Sequence, residues 1–353
     1  MAAFIDLLSA WPSAARDVHD DFKSLPLDAN WFVCQRKESE FEKLPATANA
    51  PARLRLTAKH RTAPVVAMMA VEHADCDIDR EPRERFERAE LWEHSCDFEP
   101  FGTEVWQGFR FMLDPAAPPA PERLVIGQWK QGKGAAPPLC ASTMTGDSEH
   151  DVLARAATNP DGGPSPFIAQ RFVQNIFTVT VEQADRRAGH LATDQRRAEL
   201  AADAHRAQDA LIVLAQGAGT VDELFAPVAM RQAAGEGAPL APNAADLAAT
   251  CLHGLSIERF APLPEAFGRW VTMKYHFKVG ARDDDFVEVW ANGTLVARAR
   301  GAMSTPEAPT LDSSGPHTQY FKFGPYRNPA REPNTVFIAD YWKVHSAADA
   351  PPP

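Results

Sequence analysis

Residues 320–327 read Tyr320-Phe321-Lys322-Phe323-Gly324-Pro325-Tyr326-Arg327. In an extended strand, side chains at i and i+2 share a sheet face. Tyr320, Lys322 and Tyr326 therefore fall on one face, and Phe321 and Phe323 on the other. One side of this strand is apolar enough to lie on a core. The other carries an ammonium and two phenols.

The same division recurs upstream. In Trp106–Leu113, Phe109, Phe111 and Leu113 share one parity. In Leu124–Lys130, Gln128 and Lys130 share a face, and Trp129 has core parity. In Trp270–Gly280, Val271, Met273, Tyr275, Phe277 and Val279 alternate with Thr272, Lys274, His276 and Lys278. The run Phe286–Trp290 passes through Asn292-Gly293 into Leu295–Ala299, and Asn-Gly between two strand-like runs is a strong hairpin signal. A last run covers Val336–Trp342. Short alternating runs separated by Pro, Gly and Asp suit an all-β sandwich or jelly roll. A sandwich with one concave polar side would gather the Lys, Tyr, Gln and His of three of these runs.

One segment breaks the pattern. Residues 193–216 are rich in Ala, Gln, Arg and Glu, with Leu200, Ala204, Leu211 and Ala215 at helical spacing. Thr193 or Asp194 can cap its start and Gly217 can end it. The expectation is a single domain over residues 1–353, interrupted at 185–255 by a partly helical insertion. No internal repeat is present.

Composition narrows the function. Of 353 residues, 45% are hydrophobic and 24% charged, enough to bury a core. The net charge of −11 argues against a nucleic-acid partner, although a local basic cleft remains compatible with it. No stretch is long and apolar enough to cross a bilayer as a helix, so no membrane partner is expected. The start, Met1-Ala2-Ala3-Phe4-Ile5-Asp6, lacks the basic region and apolar run of a secretory signal. The sequence as given reads as cytoplasmic, or as exported by another route or from a truncated form. Cys34, Cys76, Cys96, Cys140 and Cys251 form no CxxC pair, so neither a disulfide framework nor a zinc site is expected.

Arg88-Ala89-Glu90-Leu91, Trp106-Gln107-Gly108-Phe109 and Gln128-Trp129-Lys130 resemble the first half of the pattern of the heparin lyase I and glucuronan lyase group of polysaccharide lyases. Trp270 with Tyr275-His276-Phe277-Lys278, Phe286–Gly293 and Tyr320–Arg327 resemble its second half, in the right order. The resemblance covers roughly 85–140 and 265–345. It implies a concanavalin A-like β-jelly roll whose concave face binds an acidic polysaccharide. The group's active-site Lys and Tyr stand four apart, which matches Lys322 and Tyr326. Its members often carry His two residues after the Gln, where this chain has Lys130.

A lyase of this kind cuts the bond to O4 of a uronic acid by β-elimination. It must neutralise the carboxylate, remove the C5 proton and protonate the leaving oxygen. On that reading Gln128 and Arg88 hold the carboxylate and Tyr326 serves as base or acid. Lys322 assists the phenol or contacts the carboxylate, and Lys130 is base or clamp. Arg88 with Glu90 reads equally as a structural ion pair. Tyr320, Arg327, Lys274, His276 and Lys278 complete the expected substrate-binding set. No cofactor is required. A structural calcium ion, as in some relatives, would draw on Asp312, Asp340 or Asp283-Asp284-Asp285, a run that reads more simply as a polar turn. The competing readings are a carbohydrate-binding protein of the same fold and an appendage protein using the insertion for assembly. A glycoside hydrolase would need two facing carboxylates, and Glu288 stands alone on its strand.

Overall fold

Alternation, not helical propensity, governs the described residues. In the computed structural model, no α-helix occurs among the described residues, and the named elements are eighteen antiparallel strands in two sheets. The structure describes residues 17–23, 27, 30–34, 39–48, 50–60, 87–93, 97–116, 124–132, 166–173, 175–184, 209–217, 255–280, 282–303, 318–327 and 330–351.

In chain order the strands are β1 (Val18–Asp20), β2 (Trp31–Cys34), β3 (Ser39–Leu44), β4 (Arg53–Ala58), β5 (Glu87–Arg88), β6 (Glu90–Glu93), β7 (Glu99–Pro100), β8 (Glu104–Leu113) and β9 (Leu124–Gly132). They continue with β10 (Ile168–Val173), β11 (Ile176–Ala184), β12 (Asp209–Gln216), β13 (Ser256–Arg259), β14 (Val271–Lys278), β15 (Phe286–Ala291), β16 (Thr294–Arg300), β17 (Thr318–Arg327) and β18 (Asn334–Val344). The first sheet runs β13-β16-β15-β14-β8-β18-β4-β3, with β1 beside β18. The second runs β12-β11-β10-β9-β17-β6-β2, with β5 and β7 also on β17.

The two inner faces meet in an aromatic core. Phe321 and Phe323 of β17 are buried, as their parity requires, and Phe321 lies 4.5 Å from Trp129 and 5.9 Å from Tyr341 of the facing sheet. Burying a side chain of this size contributes about 1.5–3 kcal/mol. The Trp129 indole donates to Gln107 Oε1 at 2.8 Å, which satisfies its N–H inside the core.

The Asn292-Gly293 turn forms as read. Asn292 and Gly293 have φ of 48° and 79°, the positive pair that a type I′ hairpin demands. A second special position is Gly324, at φ 119°, where a Cβ would stand 2.1 Å from the Ala89 carbonyl oxygen. No other residue fits between Tyr326 and Lys322 at this point.

The helix expected over 193–216 is corrected at its C-terminal end. Asp209–Gln216 is strand β12, paired with β11. Val213, Leu214 and Ala215 are all buried, so consecutive residues of this strand are covered on both of its faces, a pattern that cannot be told locally from a buried helix segment. Arg259 of the other sheet donates to the Val213 and Leu214 carbonyls at 2.6 and 3.3 Å, covering the outer edge of β12. The rest of the expected insertion, apart from 209–217 and Leu255, lies outside the described residues.

Candidate functional site

The outward side of the second sheet assembles most of the expected residues. Lys322 faces Gln128 across the β17–β9 ladder, and Tyr320 faces Lys130. On the other flank of β17, Lys322 faces Trp92 and Tyr326 faces Arg88. With strands about 4.8 Å apart, these side chains form adjacent rows on one surface. Lys322 and Gln128 are deep, at 4% and 5% exposure, while Tyr320, Tyr326 and Lys130 are half-buried.

The middle of this surface is wired together. Gln128 Nε2 donates to Glu90 Oε1 at 2.5 Å. A carboxylate only accepts, so this bond fixes which way the amide points and leaves a second N–H on the same nitrogen. Glu90 Oε2 lies 3.9 Å from Arg88 Nη1, a loose ion pair. The Arg88 guanidinium in turn sits 4.8 Å from the centroid of the Tyr326 ring. Glu90 is thus both partner to Arg88 and orienter of Gln128, which joins the two readings the sequence left open. Chemically, the surface offers an oriented amide donor, cations and a phenol on one side of the sheet, groups able to stabilise developing negative charge and to move protons.

Four expected residues are not brought here. Arg327 has the parity of Phe321 and Phe323, and it points inward: fully buried, it pairs with Glu87 at 2.7 Å and donates to Asn334 Oδ1 at 2.5 Å. Burial holds its guanidinium below its ordinary pKa, with Glu87 working the other way. Arg327 is therefore part of the scaffold. Lys274, His276 and Lys278 belong to β14 in the first sheet and lie on that sheet's outer side, so the core separates them from Gln128. His276 is stacked on Trp106 at 3.7 Å and bonded to Glu288 at 3.0 Å and Glu104 at 2.7 Å. Lys278 pairs with Asp284. Lys274 stands 4.5 Å from the Trp290 centroid, and burial lowers its pKa, with Glu288 opposing.

Three groups on or under the surface escaped the sequence reading. Trp92 lies directly against Lys322, with Nζ 3.4 Å from its ring centroid. Arg171 of β10 alternates with core residues Ile168, Gln170 and Phe172 and is nearly as deep as Lys322, at 6% exposure. Beneath the surface, Glu93 accepts from the Phe321 amide at 2.9 Å and from the Tyr341 hydroxyl at 2.6 Å, and it pairs with buried Lys343 at 3.0 Å. Burial raises the Glu93 pKa against the pull of Lys343, Tyr341 and the Phe321 amide. The signal for Glu93 was available: it shares the parity of Leu91, so it is a charge at a core position.

Among the described residues, no group of three or more His, Cys, Asp or Glu side chains is gathered to hold a metal ion. Asp285 is buried and accepts from the amides of Gly280, Arg282 and Met303, closing the turn before β15. Asp340 accepts from Arg110 at 3.1 Å. Asp312 lies outside the described residues.

The endo-β-1,4-glucuronan lyase of the fungus Trichoderma reesei is similar to this chain at 11% identity, covering 96% of this chain and 99% of its own, with a TM-score of 0.48. The alginate lyase from Klebsiella pneumoniae is 11% identical over 89% of this chain and 87% of its own, with a TM-score of 0.42. The cellulose induced protein Cip1 is 11% identical over 93% of this chain and 97% of its own, with a TM-score of 0.39. No curated protein matches the chain in sequence. The family model described as polysaccharide lyase matches residues 54–341, which include most strands of both sheets and every residue of the surface around Lys322. The chain belongs to the polysaccharide lyase family.

Proposed function

We propose that the surface around Lys322 and Gln128 cleaves a uronic-acid-containing polysaccharide by β-elimination, with polyglucuronate-like or other bacterial exopolysaccharides favoured over heparin-like chains. Elimination requires an acidic C–H beside a carboxylate, so the substrate class follows from the reaction. The observation that carries the reading is the juxtaposition of Lys322 and Gln128 across one ladder, with Tyr326 and Arg88 on the same side of the sheet.

The uronate carboxylate is bound by the second N–H of the Gln128 amide and by Arg88, which withdraws charge from C5 and stabilises the carbanion-like state. Lys322 adds a cation at the same place. Tyr326 transfers the proton, as base, as acid to the departing O4, or as both in turn. Lys130, at the Tyr320 end, is the alternative base or a sugar clamp. A sulfated chain would want a denser set of cations than this surface holds, which ranks heparin-like substrates second.

Lys130, where the group often has His, favours a second reading: binding of the same polysaccharide without cleavage. One experiment separates the two. The protein is mixed with glucuronan, alginate, polygalacturonate, heparin and hyaluronan, and the ultraviolet absorbance of an unsaturated uronate is followed. A rise with one substrate, lost in Tyr326→Phe and Lys322→Ala, establishes the lyase. Binding of one polymer with no rise from any of them overturns it in favour of the binding protein.

A further inference from the structure

Lys322 Nζ lies 3.4 Å from the centroid of the Trp92 ring and 5.9 Å from that of Tyr320. Tyr320 is itself held by stacking on Phe98 at 4.7 Å, and its ring stands 6.3 Å from Trp92. Trp92 is Lys322's direct partner across the β17–β6 ladder, and each of the two is 4% exposed. A lysine sunk among aromatic rings is normally drawn toward its neutral form, because burial penalises the ammonium. An indole face at this distance acts the other way. Its quadrupole attracts the cation, and Trp is the strongest aromatic partner for one.

We propose that Trp92 is a positioning residue whose indole face holds Lys322 as a charged, immobile ammonium opposite Gln128, so that Lys322 serves the reaction as a fixed cation and not as a proton acceptor. The proposal rests on the lyase reading of this surface and deepens it by dividing the labour there. Proton transfer is left to Tyr326 and Lys130. Charge stabilisation falls to Lys322, Gln128 and Arg88. Trp92 acts only through Lys322. The ladder sets both residues at the same register on adjacent strands, which brings the ammonium over the indole face.

The test uses the full chain with carbon-13-labelled lysine, observed by NMR without substrate, the Lys322 signal being assigned by its loss in Lys322→Met. In the wild type the Lys322 ε-methylene signal is expected upfield of the other lysines, displaced by the Trp92 ring current. Trp92→Leu should return it to the ordinary position and let it lose its proton at lower pH, while Trp92→Phe should keep part of both effects. An undisplaced signal in the wild type, or the same titration in Trp92→Leu, overturns the proposal. In activity, Trp92→Leu should lower kcat about tenfold in the wild type and cost nothing more in Lys322→Met, the non-additivity of groups that act as one. Additive losses overturn it. Should Trp92→Leu fail to fold, Trp92→Phe and Lys322→Met carry the same comparison. Should the wild type cleave no polyuronate, the lyase reading fails, and the NMR titration still decides whether Trp92 governs Lys322.

Discussion

Arg88 and Tyr326 are direct partners across the β5–β17 ladder, and the guanidinium stands 4.8 Å from the phenol ring's centroid. One cation thus serves two ends of the proposed site, the phenol beside it and, through Glu90, the Gln128 amide. Arg88→Ala is expected to lower kcat/KM by about 10²-fold, the scale of removing one preorganised charge-stabilising group. Arg88→Lys should recover only part, since an ammonium lacks the planar fork that can address both partners. Steady-state kinetics on the substrate found by the polyuronate panel check this. Equal activity in all three proteins would remove Arg88 from the site.

Tyr326 is half-buried, and its ring is reached by Arg88. Tyr326→Phe removes one oxygen from a residue whose ring remains in place. The expected result is a fall in kcat of about 10²–10⁴-fold, the range for loss of a general acid–base group, with polymer binding by calorimetry retained and the denaturation midpoint little changed. Loss of binding in step with kcat would make Tyr326 a sugar contact instead.

Glu87 and Arg327 test the scaffold beneath the site. They are 2.7 Å apart, with side chains 1% and 0% exposed. Glu87→Ala leaves the guanidinium buried without its carboxylate and is expected to cost about 3–5 kcal/mol of stability, measured as a drop in the denaturant midpoint. Arg327→Met, which removes charge but keeps bulk, leaves buried Glu87 with His60 at 2.9 Å and the Ala330 amide at 3.2 Å, and should destabilise less than Glu87→Ala. Activity per folded molecule should survive in Arg327→Met under stabilising conditions. A folded variant with normal stability and lost substrate affinity would return Arg327 to the binding set.

The alternation in Tyr320–Arg327 was legible because strand parity is a property of the chain alone. It correctly separated Tyr320, Lys322 and Tyr326 from Phe321 and Phe323. The same rule, carried one step further, excludes Arg327 from the outer surface; the motif resemblance pulled it in against its own parity. For Lys274, His276 and Lys278 parity gave the right answer to a smaller question. It says whether a side chain points into the core or out, and both sheets of a sandwich have an outer side, so the sheet itself had to come from long-range pairing. Asp209–Gln216 failed for another reason. Leu211 and Ala215 fit helical spacing, but Asp209–Gln216 is a strand because it pairs with β11, a partner no local window contains. Glu93 and Trp92 share the short β6; parity with Leu91 marks Glu93 as a charge at a core position, but only the register with β17 reveals that Trp92 lies against Lys322.

His345 supplies a pH test of the fold. It is half-buried, with Nε2 2.9 Å from Glu99 Oε1 and Nδ1 2.9 Å from Asp17 Oδ1. Burial by itself lowers its pKa, but Glu99 and Asp17 outweigh that, and the net shift is upward from 6.5. The sign follows from linkage. A histidine whose folded pKa exceeds its unfolded value takes up its proton more readily in the folded state, so it stabilises the fold fully below the unfolded pKa and loses that contribution as pH rises through the folded one. The window therefore opens near pH 6.5 and extends above it. Thermal melts of wild type and His345→Asn across this range should differ most at the acidic end and converge at the alkaline end. A constant difference at every pH would mean that His345 contributes packing or neutral hydrogen bonds alone, and that its charge has no part in holding β18 to Glu99 and Asp17.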